Sequence, residues 1–359
     1  MLAQNRFVLR ILTKLWSSQV EALKEALGSG QMVDLLEPFI LRMSHSGTLK
    51  MKSWLGIEEG GLEGLSKVFS VMVPANVRDE PRMTVFEDGM TWEPSSECPF
   101  RGAAKEMCLI QDVLTAQGSL EAFGLEREYE LKLDFGNPID ALYCQAAVNL
   151  VRKGRVRPEG RLVSRYSSEE LRASHGQEWI DDLSIQYKAE FFVQTTNMAI
   201  EELGVENAES VLIRAAEEVG RQIAEMWIEE ELAKGFDVNS HIELLAILGE
   251  SMRQGSEISS VGKNDMIRKV RSCPFSDSNP LVCAQLEAFT SRLCSELFPG
   301  SFYETRRVMT KGDDHCSFGI KVSSLDGDDI DPLQILKIRF AKGEISEMEY
   351  LRMRNLLTD

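Results

Sequence analysis

"SSECPFRGAAKEMC" (residues 95–108) and "VRSCPFSDSNPLVC" (270–283) both read Cys-Pro-Phe, with a second cysteine ten positions after the first. Cys98 and Cys273 lie 175 positions apart, as do Cys108 and Cys283, and Cys144 and Cys316 differ by 172. Spacings kept this closely are those of an internal repeat. They divide the chain into a first unit (1–160), a second (161–325) and a tail (326–359). Each unit has the same order: a long helical region, the Cys-Pro-Phe loop, an amphipathic helix, then a strand pair whose second strand carries the third cysteine. The fold expected is α+β, a tandem duplicated unit of helices and antiparallel strands followed by a C-terminal helical hairpin.

The local chemistry of the second copy places its cysteines. Ser278, Asn279 and Pro280 supply the cap and first position of a helix reaching about Phe298, so Cys283 falls near its first turn. Pro274 and Pro280 resist a continuous helix through the preceding residues, and the resulting loop can carry Cys273 back toward Cys283. One unbroken helix would hold the two thiols about 15 Å apart. Beyond a turn at Lys311–Asp314, Cys316, Phe318, Ile320 and Val322 share one face of a strand, as do Cys144, Ala146, Val148 and Leu150 in the first copy. Strand parity turns His315 away from Cys316. Cys294, three helical turns after Cys283, reads as a core thiol.

Composition narrows the function classes. A net charge of −17 over 359 residues argues against a general nucleic-acid binder, and the one basic stretch, Arg152 to Arg165, reads as a solvated linker. No run of apolar residues is long enough to span a bilayer. The N-terminus lacks the pattern of a secretory signal, and Leu2, Phe7, Val8, Ile11, Leu12 and Leu15 line one face of a first helix. Seven cysteines, an odd number without dense spacing, suit a reducing compartment, and the expected location is the cytoplasm. His45, His175 and His241 stand singly, and phosphate-loop, dinucleotide and zincin patterns are absent.

Residues 331–357 open with Asp331 capping a helix and Pro332 at its first position; Gly343 ends it, and Ser346 with Glu349 forms a capping box. This segment resembles the short C-terminal (SHOCT) domain, which implies a role in oligomerisation or docking to a protein partner. Across roughly residues 180–325, Cys273-Pro274, Cys283, Arg306/Arg307 and the run Thr310 to Phe318 resemble the L-2-amino-thiazoline-4-carboxylic acid hydrolase family. There is a fainter similarity to the vinyl-reductase-like small-molecule-binding domains. The first copy lacks the arginine pair and the Gly-Asp-Asp turn, which marks it as the degenerate one; its Cys98, Cys108 and Cys144 are the counterparts of the second copy's cysteines.

The resemblance implies hydrolysis of a cyclic C–N bond in a small substrate such as a thiazoline carboxylate. That chemistry requires an activated nucleophile and a cation for the carboxylate. Cys283, near a helix N-terminus, is the thiolate candidate, with Asp314 as base. Arg306 or Arg307, with Thr310 from the same motif, would bind substrate. A second reading makes Cys273, Cys283 and Cys316 a three-thiolate site for zinc or iron. A third leaves all three as small buried hydrophobes. Hydrolase, thiol- or metal-based ligand or redox sensor, and assembly scaffold therefore stand side by side, and none involves nucleic acid or membrane.

Overall fold

The structure, a computed structural model, describes residues 2–58, 60–72, 82–93, 106, 109–135, 146–158, 160–166, 177–229, 246, 249, 254–260, 265–297, 301–321 and 350. Cys98, Cys108, Cys144 and, apart from Tyr350, the tail expected to form a helical hairpin lie outside the described residues.

Two long helices, α1 (Leu2–Leu27) and α2 (Ser29–Trp54), meet at Gly28. Its φ of 83° suits glycine, and a single residue ends one helix and starts the next: its N–H donates to Lys24 O at 2.8 Å and its carbonyl accepts from Met32 at 3.1 Å. The corner recurs between α5 (Gln177–Leu203) and α6 (Val205–Glu229), where Gly204 has a φ of 75°, donates to Ile200 O and accepts from Ala208.

Between these helix pairs run α3 (Gly61–Met72), the hairpin β1 (Arg82–Phe86) and β2 (Gly89–Glu93), and a π-helical turn (Leu109–Leu114) leading into α4 (Thr115–Phe123). Then come β3 (Tyr129–Phe135), β4 (Ala146–Arg152) and β5 (Leu162–Tyr166). After α6 come the hairpin β6 (Gly255–Ser260) and β7 (Asp265–Ser272), α7 (Pro280–Leu297), β8 (Phe302–Arg307) and β9 (Cys316–Lys321). The result is a mixed α+β architecture with two antiparallel sheets, ordered β3-β4-β2-β1-β5 and β6-β7-β9-β8. Read from the other edge, the second is β8-β9-β7-β6, the strand order of the first without β5. Since β5 pairs with β1, the first sheet extends to Tyr166, past the boundary expected at residue 160.

Helix α1 is buried around more of its circumference than one amphipathic stripe allows. Ile11 and Leu15 join a core with Phe192, Val219, Phe289 and Ile320, whereas Trp16, Val20 and Leu23 join another with Leu36, Phe191 and Leu212. Val8, Leu9 and Leu12 close on Ile185. Trp16 meets Phe191, 175 positions further on, edge to face at 4.9 Å between ring centres. A buried polar cluster fixes the register of α1, α5 and α7: the Gln19 amide donates to Phe192 O, Thr196 Oγ1 and Gln285 Oε1, and Gln285 donates to Thr196 Oγ1 at 2.9 Å.

Two helix crossings are tight enough to require glycine. A Cβ on Gly118 of α4 would stand 2.6 Å from Leu41 O and 2.8 Å from Ser44 Cβ on α2; one on Gly220 of α6 would stand 2.6 Å from Phe289 O and 2.9 Å from Arg292 Cβ on α7. His45, beside Gly118, precedes Gly220 by 175 positions, and Gly118 precedes Leu293, which faces Gly220, by the same 175. The glycine sits on opposite members of the two pairs. Since backbone fills the space, Gly220→Ala is expected to destabilise the chain by about 1–3 kcal/mol, the usual cost of overpacking, as measured by urea unfolding. A change within 0.3 kcal/mol, roughly the error of additivity measurements, would show that the crossing can relax.

Candidate functional site

The inward face of the second sheet is built in layers across β7, β9 and β8. Met266 pairs with Ile320, which pairs with Tyr303; Arg268 pairs with Phe318, which pairs with Thr305; Val270 pairs with Cys316. Period-2 alternation therefore puts Arg268, only 4% exposed, on the same inward face as Met266 and Val270. Helix α7 lies over this face, capped by Asn279, whose Oδ1 accepts from the Leu281 N–H at 2.9 Å.

Between helix and sheet is a cavity of about 50 Å³, with room for a few water-sized groups. Its lining includes Cys273, Cys283 and Cys316 together with Arg268, Glu287, Tyr303 and Thr305. The Cys-Pro-Phe loop turns back as its prolines require. Its Phe275 is fully buried in the core and meets Phe192 edge to face at 6.3 Å, and Cys273 O accepts from the Ser276 N–H at 3.1 Å. The phenylalanine anchors the loop and the cysteine borders the cavity. Cys294 sits apart in the core.

Burial decides the state of the thiols. It pushes Cys283 from the ordinary 9.0 up to about 11, against a smaller opposing contribution from the Thr310 hydroxyl beside it. A helix N-terminus offers ~0.3–1 kcal/mol to an anion, less than the ~1.4 kcal/mol of one pKa unit. The expectation of a Cys283 thiolate is thus corrected: desolvation outweighs the helix end and the group is a thiol at neutral pH. Cys273 is raised by burial too, although Gln254 Nε2 approaches its sulfur at 3.6 Å; so is Cys316, although the Met309 N–H donates to its sulfur at 3.3 Å. Burial lifts Cys294 to about 12.

Other expected site residues stand elsewhere. Asp314, expected as base, is 81% exposed ahead of β9, with His315 Nδ1 at 2.6 Å and Arg307 Nη1 at 3.6 Å from its Oδ1. Asp313 instead accepts from the Val308 N–H at 2.8 Å and ties the turn. Arg306 and Arg307 are 45% and 55% exposed and line no part of the cavity; a register shift between Thr305 and Arg307 breaks the alternation there, and Arg306 lies over Gly319. Thr310 is near Cys283 but outside the lining. Among the described residues no group of three or more His, Cys, Asp or Glu side chains is arranged to hold a metal ion, and the cavity contains a buried guanidinium. Cys273, Cys283 and Cys316 therefore share a cavity without forming the zinc or iron site expected of them.

Arg268 is the functional candidate the sequence reading missed. Its Nη2 donates to Gln254 Oε1 at 2.5 Å, its Cζ lies 6.0 Å from the Phe318 ring centre, and it is within hydrogen-bonding reach of Tyr303. Burial holds that phenol protonated, well above its ordinary range. Tyr303 also stacks on Phe318 at 5.3 Å. The signal available was Met-x-Arg-x-Val on an otherwise apolar strand face.

No family model, curated protein or solved structure matches this chain.

Because the folded Cys283 thiol keeps its proton to higher pH than the unfolded one, its stabilising contribution is complete below pH 9.0 and is lost as pH rises toward about 11. Iodoacetamide labelling read by mass spectrometry should rise at Cys283 by about tenfold per pH unit up to that range, with Cys294 unmodified in the folded chain. A Cys283 curve that levels off below pH 9.0 would show the helix end prevailing after all.

Proposed function

We propose that the chain is a tandem duplication whose second copy binds a compact small molecule in the cavity beneath α7, with the first copy as its structural partner. The observation that carries this reading is a contrast between layers of the two sheets, which share a strand order. In the second, Arg268, Phe318 and Thr305 stand next to the Met266–Ile320–Tyr303 layer. In the first, Trp92, Val148 and Leu133 hold the register positions next to Met90, Leu150 and Leu131. The second sheet borders a polar, thiol-lined pocket, and the first carries apolar residue types at these register positions. The common strand order, the corners at Gly28 and Gly204 and the paired crossings support common descent of the copies. The vinyl-reductase-like resemblance agrees with a ligand-binding role.

A second reading, hydrolysis of a cyclic C–N bond, is favoured by Cys283 and Glu287. They lie four residues apart on one face of α7 and both line the cavity. Glu287 would take a proton from water as the oxygen adds to the C=N carbon and pass it to the ring nitrogen; the adduct would then collapse to a carbonyl, a ring bond to that carbon breaking as the leaving atom takes the hydroxyl proton. Chemistry by a bare Cys283 thiolate is disfavoured by its raised pKa. Among the described residues no cysteine is in a disulfide, in keeping with a reducing compartment such as the cytoplasm. For the tail we propose assembly: deleting residues 326–359 should lower the mass seen by light scattering while both copies stay folded, and an unchanged mass would remove that role.

Calorimetry and product analysis with 2-amino-thiazoline-4-carboxylate separate the two readings of the cavity. Binding without ring opening leaves a binding module. Turnover that Glu287→Gln lowers by at least about a hundredfold, with binding retained, makes the chain a hydrolase. Cys283→Trp, which puts bulk at the rim, should abolish binding in either case, and unaltered binding in that variant would place the ligand elsewhere.

A further inference from the structure

We infer that Arg268 and Thr305 form an anion clamp in this cavity, holding the single carboxylate of a compact ligand; this rests on the small-molecule reading above. The two residues pair with Phe318 from opposite sides, so the sheet places a guanidinium and a hydroxyl at one level across three strands. Both line the cavity, and both present a buried polar atom without a partner among the described residues: Arg268 Nε and Thr305 Oγ1. Buried polar groups are normally hydrogen-bonded, so two orphans on residues that line one cavity mark a place for an external partner.

Charge says what that partner is. Arg268 is 4% exposed, and among the described residues no carboxylate forms an ion pair with it. Gln254 accepts one hydrogen of Nη2, at 2.5 Å, while Nε–H has no partner among the described residues. Tyr303 and the three thiols are protonated at neutral pH and supply no counter-charge. A buried guanidinium left so is costly, and a planar carboxylate is its natural complement because the fork offers parallel N–H donors at matching spacing. Thr305 Oγ1 can donate to the same group. Glu287 lines the cavity without reaching Arg268 at ion-pair distance, so its charge opposes a second anionic group on the ligand. The volume, about 50 Å³, limits the enclosed part to a few heavy atoms.

Thermal unfolding of the full chain with sodium acetate, against acetamide and sodium chloride at equal ionic strength, tests the clamp. Acetate should raise the midpoint saturably, with an affinity at least about tenfold above that of acetamide, as a charge-assisted fork requires. Arg268→Gln should abolish the preference, Arg268→Lys should retain only part of it, and Thr305→Val should weaken it; Arg306→Gln and Arg307→Gln should leave it unchanged. Equal effects of acetate and acetamide, no effect of either on the wild-type chain, or a preference that survives both Arg268→Gln and Thr305→Val would overturn the assignment. If Arg268→Gln does not fold, the acetate/acetamide comparison on the wild-type chain and the Thr305→Val variant still decide. A chain that shows the acetate preference but opens no thiazoline ring keeps the clamp and loses the hydrolytic reading. A chain that turns over the thiazoline carboxylate equally well with Arg268→Gln keeps the hydrolysis and loses the clamp.

Discussion

Burial of α1 on several sides is the constraint on which the rest of the structure depends. A helix with one apolar stripe can rest on a single sheet, but one carrying Leu9, Ile11, Leu12, Leu15, Trp16 and Leu23 around its circumference must be enclosed. The second half supplies the enclosure, since α5 and α6 pack along α1 and α7 packs along α6. The halves share cores through this helix: Ile11 and Leu15 stand in the same cluster as Phe289 and Ile320. The polar cluster of Gln19, Thr196 and Gln285 then selects one registration of these surfaces, because sliding would strand buried amides. Through Gln285 that registration reaches the helix that roofs the cavity.

The cavity is a place where the fold accepts unfavourable terms. An arginine and an unpartnered threonine hydroxyl occupy ground that Met266 and Ile320 show to be suitable for hydrocarbon. Burial keeps thiols and phenol neutral, so electrostatic freedom in the pocket is confined to Arg268 and Glu287. A ligand enters an environment whose polarity is fixed before it arrives.

The features legible in the sequence are the local ones. Pro274 and Pro280 forbid a helix between Cys273 and Cys283, Asn279 caps the helix that begins at Pro280, and strand parity turns Cys316 inward; these steps need no tertiary information, and the three cysteines do border one cavity. The ionisation of Cys283 was not legible, because the helix end is visible in sequence and the depth of burial is not. Arg306 and Arg307 looked like substrate cations on a regular strand, yet a bulge on an edge strand turns both outward, and bulges carry no dependable sequence mark. Arg268 was passed over among Lys269 and Arg271, where a cluster of cations suggests solvent. Only the alternation with Met266 and Val270 distinguishes it. Strand order was inaccessible, since it depends on pairings between segments distant in sequence.

The two glycine crossings bear on how likeness between the halves can be measured. Close approach of two helices is a demand on a pair, and either member can meet it by giving up its side chain. The first crossing gives it up at Gly118 opposite Ser44 and His45, the second at Gly220 opposite Leu293. Compared one position at a time, Gly118 against Leu293 and His45 against Gly220 are two mismatches. Counted as a pair, each crossing has one vacancy, allocated differently. Under the proposed duplication, likeness of this kind is held in sums over contacting residues, and a comparison that scores letters independently does not register it.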